Sequence, residues 1–147
     1  MRKLLILILL LTSFFAFSQK KGDNVITIKN FVENSNFSQI KRILITNGYE
    51  INQMDTIDNY FSTEFHPVEG SIYAYNLNVK ILGFIKDKDL VLTANYKSQY
   101  SNLSGGMTDA SGRASYEKRK LIAKRLAFDE LQRISLKINK ELTYSKE

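Results

Sequence analysis

Residues 72–96 read IYAYNLNVKILGFIKDKDLVLTANY, and their alternation decides the fold. Tyr73, Tyr75, Leu77, Val79 and Ile81 fall on one side of an extended chain, while Asn76, Asn78 and Lys80 fall on the other. After the charged turn Lys86-Asp87-Lys88-Asp89 the pattern resumes, with Leu90, Leu92, Ala94 and Tyr96 opposed to Thr93, Asn95 and Lys97. Successive side chains of a strand point to opposite faces. A period of two with one apolar face therefore marks an antiparallel pair that covers a core on one side and meets water on the other. The stretch argues an architecture and not a reaction.

Upstream, Asn34, Ser35 and Asn36 offer N-cap oxygens, and Phe37, Ile40, Ile43 and Leu44 follow at helical spacing. Gly48 stands just beyond, where a left-handed cap favours glycine, so the spacing predicts a helix over about 36–47. Tyr49 and Ile51 open a strand. Asp55-Thr56-Ile57-Asp58-Asn59 is a polar bend in which Asp serves backbone hydrogen bonding. Tyr60 to His66 is a second strand with Phe61, Thr63 and Phe65 on one face, and Pro67 ends its pairing. Downstream, residues 98–112 are dominated by Gly, Ser and Asn and read as a flexible connector. Gly105-Gly106 within it lacks the spacing and lysine of a phosphate loop.

A long helix is predicted from Ala114 to Ile138, with Ala123, Ala127, Phe128, Leu131, Ile134 and Ile138 on one stripe. Lys120 and Lys124 fall on that stripe near its start, and burying them would be expensive. The first turns, carrying Glu117, Lys118, Arg119 and Lys120, are expected to overhang the core. The architecture expected is α+β: a two-layer sandwich in which a four-stranded antiparallel meander sheet is covered on one face by a short N-terminal helix and a long C-terminal helix. One domain would span residues 36–138, after an N-terminal arm at 19–35, whose residues 25–28 read either as a short edge strand or as an extended lead into the body, and before a C-terminal tail at 139–147. The arm's first residues, Gln19 to Asn24, are polar and expected to be loose.

The chain has 147 residues, 44% hydrophobic and 24% charged, which suits one globular domain with a core and argues against disorder. Cysteine is absent, so disulfides, thiolate nucleophiles and cysteine metal sites are excluded. Met1-Arg2-Lys3, the apolar run Leu4–Leu11 and the closing Phe14-Phe15-Ala16-Phe17-Ser18 have the form of a secretory signal peptide at residues 1–18, too short to span a bilayer. The Ala-Phe-Ser-Gln ending resembles signal peptides of the Bacteroidetes group, which implies a periplasmic or extracellular address. Cleavage after Ser18 lowers Lys plus Arg from 21 to 19 against 15 Asp plus Glu, so the net charge drops from +6 to +4.

The order of a short helix, Asn47-Gly48-Tyr49-Glu50-Ile51, Asp55, Phe61-Ser62-Thr63-Glu64, two long strands and a closing helix resembles the small envelope domains of BamC-like lipoproteins, over about residues 36–138. The chain departs from that family in lacking the acylated cysteine. The resemblance implies an envelope assembly or scaffolding role without catalysis or cofactor.

The residues themselves offer little chemistry. His66 beside Glu64 reads as a solvated pair on a strand face. The carboxylates at Asp55 and Asp58, and at Asp87 and Asp89, sit in turns and match no EF-hand loop. No Gly-x-Ser-x-Gly frame is present. Residues 113–147 carry ten basic and five acidic side chains. Their spread around the helix, in an exported chain, argues against nucleic acid and favours an envelope protein or an anionic membrane surface touched by Lys118, Arg119, Lys120 and Arg125. Alternatively, Phe61, Phe65, Tyr73, Tyr75 and Tyr96 line an apolar pocket for a small ligand or lipid. The expectation is a non-enzymatic binding protein with no metal or cofactor.

Overall fold

A computed structural model describes residues 19–31, 37–68, 76–101, 106–119, 122–139 and 141–147. The export signal, the N-cap residues Asn34–Asn36, Tyr73, Tyr75 and Lys120 lie outside the described residues. The chain runs β1 (Val25–Ile28), α1 (Phe37–Thr46), β2 (Ile51–Asp55), β3 (Tyr60–Thr63), β4 (His66–Pro67), β5 (Asn76–Lys86), β6 (Asp89–Ser101), β7 (Met107–Arg113), α2 (Ala123–Ile138) and β8 (Leu142–Ser145). It is an α+β fold with two helices and an open antiparallel sheet of eight strands, not the four-stranded meander expected from the alternation alone. No described helix is long and apolar enough to cross a membrane.

β5 and β6 form the predicted hairpin, in register from Lys86↔Asp89 to Asn76↔Gln99. Asp87 takes the left-handed conformation at the tip, with φ 58°. Leu77, Val79, Ile81, Leu90, Leu92, Ala94 and Tyr96 are buried, as their alternation requires. β3 and β4 lie in line along the other side of β5, through Phe61↔Gly83 and His66↔Val79. β2 pairs with β3 beyond them. The intervening bend is closed by Asp55, whose Oδ1 accepts the Ile57 and Asp58 amides at 2.8 and 3.0 Å.

The remaining strands come from segments read as arm, connector and tail. β1 pairs with β6 through Ile26↔Leu92 and with β8 through Ile26↔Tyr144. Residues 25–28 and 142–145 are therefore neighbours in the sheet that residues 36–138 build. The stretch before β1 is also tied down: the Gly22 amide bonds Tyr116 O at 2.8 Å, and the Tyr116 amide bonds Asp23 O at 2.7 Å. The 98–112 connector is instead the end of β6 and most of β7, paired from Asn95↔Arg113 to Ser101↔Met107. Its Gly and Asp residues are poor strand formers, but a strand at a solvated edge is held by its ladder bonds and needs little apolar area.

The C-terminal helix begins at Ala123 and not at Ala114. Ala114 continues the β7 line, its amide bonding Ala94 O at 2.8 Å, and it is fully buried. Backbone pairing of Ala114, Ser115 and Tyr116 overrides their helical tendency, so the expected helix start is a non-helical segment docked through those three residues, while Lys118 and Arg119 beyond them are exposed. From Ala123 onward the predicted stripe holds, with Ala127, Phe128, Leu131, Ile134 and Ile138 buried. α2 packs against β6, β5 and β1, and α1 packs against α2 and β2.

Phe61 sits over Gly83, and a Cβ added there would come within 2.2 Å of the ring. Gly83→Ala is expected to cost about 1–3 kcal/mol through overpacking, and Leu131→Ala about 2–5 kcal/mol through the cavity it leaves. Urea unfolding measures both. An unchanged Gly83→Ala midpoint would mean that the ring does not need the glycine.

Candidate functional site

The site begins with the end of α1. The Gly48 amide bonds Ile45 O and the Tyr49 amide bonds Leu44 O, both at 3.0 Å. This is the Schellman pattern, and it needs a left-handed residue, supplied by Gly48 at φ 86°. The turn sends Tyr49 inward, where it is 1% exposed. Its hydroxyl donates to Glu130 Oε1 at 2.9 Å.

Glu130 stands within the apolar stripe of α2 and is buried. Arg133, one turn on, donates from Nε to Glu130 Oε2 and from Nη2 to Oε1, each at 2.7 Å. A fork of this kind gives a carboxylate two charge-assisted bonds in one plane. The pair raises the Arg133 guanidinium above its ordinary value, through its hydrogen bonds to Glu130 and against the effect of burial. Arg133 Nη1 reaches Asn47 Oδ1 at 3.0 Å, and Lys137 Nζ donates to the same oxygen. Asn47 in turn donates to Ile43 O at 2.7 Å. Two cations thus meet the negative end of the α1 dipole.

His66 completes the group. Its ring lies 4.6 Å from the Tyr49 ring, centroid to centroid, and a Cβ on Gly48 would stand 2.7 Å from its Cε1. A cleft of about 460 Å³ opens beside it, lined by Thr46, Asn47, His66, Pro67, Val68, Glu130 and Arg133. Both oxygens of Glu130 are engaged by Tyr49 and Arg133, so it is not placed to act as a base. Among the described residues no carboxylate is hydrogen-bonded to His66, and Glu64 is exposed. Among the described residues no three His, Asp or Glu side chains gather to hold a metal.

The residues singled out in the sequence are dispersed. Lys118 and Arg119 are exposed. Arg125 is engaged: it stacks 3.8 Å over Tyr116, bonds Asp129 at 2.7 Å and donates to Glu117 O at 2.8 Å. Phe61, Phe65 and Tyr96 do not line one pocket. Phe61 is fully buried on Gly83, and Tyr96 is buried on the same face. Phe65 lies across the sheet with Lys97 Nζ 4.4 Å from its ring. The cause is one extra residue between β3 and β4. Phe61 faces Gly83 and His66 faces Val79, so parity changes between them and Phe65 exchanges faces with His66.

The reading of the sequence passed over Tyr49, Glu130 and Arg133. Their signal was a carboxylate inside an apolar stripe, an arginine three residues later, and a tyrosine after a left-handed glycine.

Tyr49→Phe removes a bond to a charged group and is expected to cost about 1.5–3 kcal/mol near neutral pH. Burial first, then the charge and hydrogen bond of Glu130, raise the Tyr49 hydroxyl far above its ordinary 10.0. The folded protein therefore holds that proton more tightly than the unfolded chain. The associated stability is complete below the ordinary value of 10.0 and is lost as pH climbs past it. Chemical denaturation across alkaline pH should show a shallower decline in Tyr49→Phe than in the parent.

No protein-family model matches the chain and no curated protein matches it, so the roles of Tyr49, His66, Glu130 and Arg133 rest on the chemistry of the cleft itself.

Proposed function

We propose that this is an exported, non-enzymatic envelope protein that binds an extended segment of another envelope protein by adding it as a strand to β7. The observation that carries the reading is the edge of that strand. β7 is seven residues long, none of them buried, and among the described residues it pairs with β6 alone. An uncovered edge of this length presents a row of unpaired backbone donors and acceptors, the substrate of β-strand addition. Met107, 64% exposed, supplies an apolar contact at its start.

Three further points support the reading. The engaged Glu130 and the unoriented His66 favour binding over turnover. The form of residues 1–18 favours export to the periplasm or cell exterior. The resemblance of the sequence to BamC-like envelope domains, whose role is scaffolding, points the same way. In this reading both helices cover the apolar face of the sheet and leave β7 and the polar face open to partners. Phe61 and Tyr96 lie in the packed core, which counts against the small-ligand pocket.

The test uses the mature chain and envelope proteins of the source cell. A photo-crosslinker at position 108 should capture a partner, and the amides of 107–113 should exchange with deuterium more slowly in the complex. A lysine at the edge blocks pairing, so Met107→Lys should weaken capture by about tenfold or more. The exposed pair Lys118→Glu with Arg119→Glu should leave capture and melting temperature nearly unchanged, since exposed charges contribute little to stability. Capture lost in that pair, with β7 exchange unaltered, would favour an anionic surface contact instead. Turnover of an ester, peptide, glycan or phosphate that disappears in His66→Ala would overturn the non-enzymatic reading.

A further inference from the structure

The polar face of the sheet carries an ordered group of side chains that the fold does not use. The register sets Asn78 opposite Lys97 and Lys97 opposite Ser111. Two residues along, it sets Asn76 opposite Gln99 and Gln99 opposite Asp109. Directly opposed residues of neighbouring strands share a face, and so do residues two apart on one strand. The six side chains therefore form two rows of three across β5, β6 and β7. The rows are about 7 Å apart along the strands and the columns about 5 Å apart across them. They line a shallow groove of about 420 Å³.

Charge and composition narrow what fits there. Lys97 and Asp109 balance, and the other four are neutral, so the groove has no net charge to attract a phosphate, an anionic lipid or a nucleic acid. Its rows offer carboxamides, a carboxylate, an ammonium and a hydroxyl, a mixture of donors and acceptors, and Ala110 adds an apolar part to the lining. At the border Phe65 presents a ring beneath Lys97 Nζ at 4.4 Å. Asn, Asp and Ser are also poor choices for a strand, and Thr or Lys would hold a merely solvated face at lower cost in propensity.

We propose that this groove binds a neutral oligosaccharide. Neighbouring hydroxyls of a sugar ring are donors and acceptors at once, and planar carboxamides and carboxylates can bond two of them together. The site lies on the face of the sheet and is independent of strand addition at the β7 edge. Only β5 and β6 residues are used to test it.

The experiment titrates the ¹⁵N-labelled mature chain with maltohexaose, cellohexaose, chitohexaose and a sulfated heparin hexasaccharide. Amide shifts should appear for at least one neutral sugar, centred on Asn76, Asn78, Lys97, Gln99 and Ser111, and should persist as salt is raised. The double change Asn78→Ala with Gln99→Ala should weaken that binding by about tenfold or more while leaving the melting temperature nearly unchanged. Asn95→Ala, on the same face beyond the groove, should leave it intact. Absence of shifts with every neutral sugar at millimolar concentration overturns the proposal. So does binding that survives the double change, that maps elsewhere, or that is confined to the sulfated sugar and fades with salt.

Discussion

One strand is asked to hold two partners on the same edge, and the rest of the molecule follows from that. β6 gives one side to β5 along its length. Its other side is shared: β1 takes Leu90 to Leu92, and β7 takes Asn95 to Ser101. Between them Ala94 O accepts the Ala114 amide at 2.8 Å, so the chain leaving β7 is still fastened as it turns toward α2. β1 then needs β8 to cover its far edge. The last pairing in the sheet sets residue 25 against residue 145, which brings both ends of the described chain into its structure. Contacts of such sequence separation carry the loop-closure cost that slows sheet formation.

What the sequence revealed was whatever depends on neighbours close in the chain. The alternation in β5 and β6 survived because one buried face permits only one parity. Gly48 and Asp55 were legible because a left-handed cap and a bend around an aspartate are local demands on local residues. The α2 stripe from Ala123 was legible for the same reason. What stayed hidden depends on distant partners. β7 holds its place through bonds to β6 and not through its own composition. Ala114 to Arg119 could have continued a helix, but the backbone of Ala94 and Asp23 was already waiting for theirs. A single added residue before His66 exchanged the faces of Phe65 and His66, and no periodicity within so short a strand reports it.

The Tyr49–Glu130–Arg133 group is equally a product of distance, since the turn after α1 and the middle of α2 meet only in the finished fold. A carboxylate among apolar side chains is costly unless its oxygens are bonded. Here every bond is supplied by groups that also fasten α1 to α2, so the polar cluster fixes how the two helices meet as well as satisfying itself. The sole histidine of the chain borders this cleft beside groups whose hydrogen bonds are already committed to one another.

The same commitment changes the meaning of the basic C-terminal third. Arg125 is held by Asp129, Arg133 by Glu130 and Arg113 by Glu147. Three of the five acidic residues of that third are thus coupled in space to basic ones. Lys29 and Asp89 do the same at 2.6 Å beside the β5–β6 turn. The turn end of the sheet is therefore stitched by ion pairs. At the opposite end of the same strands, Asn76, Asn78 and Gln99 stand in rows with no side-chain bond among the described residues. A face that pairs its charges at one end and leaves its amides open at the other is not uniformly solvated surface. The difference lies in which groups the fold needs for itself and which it leaves for something else to bind.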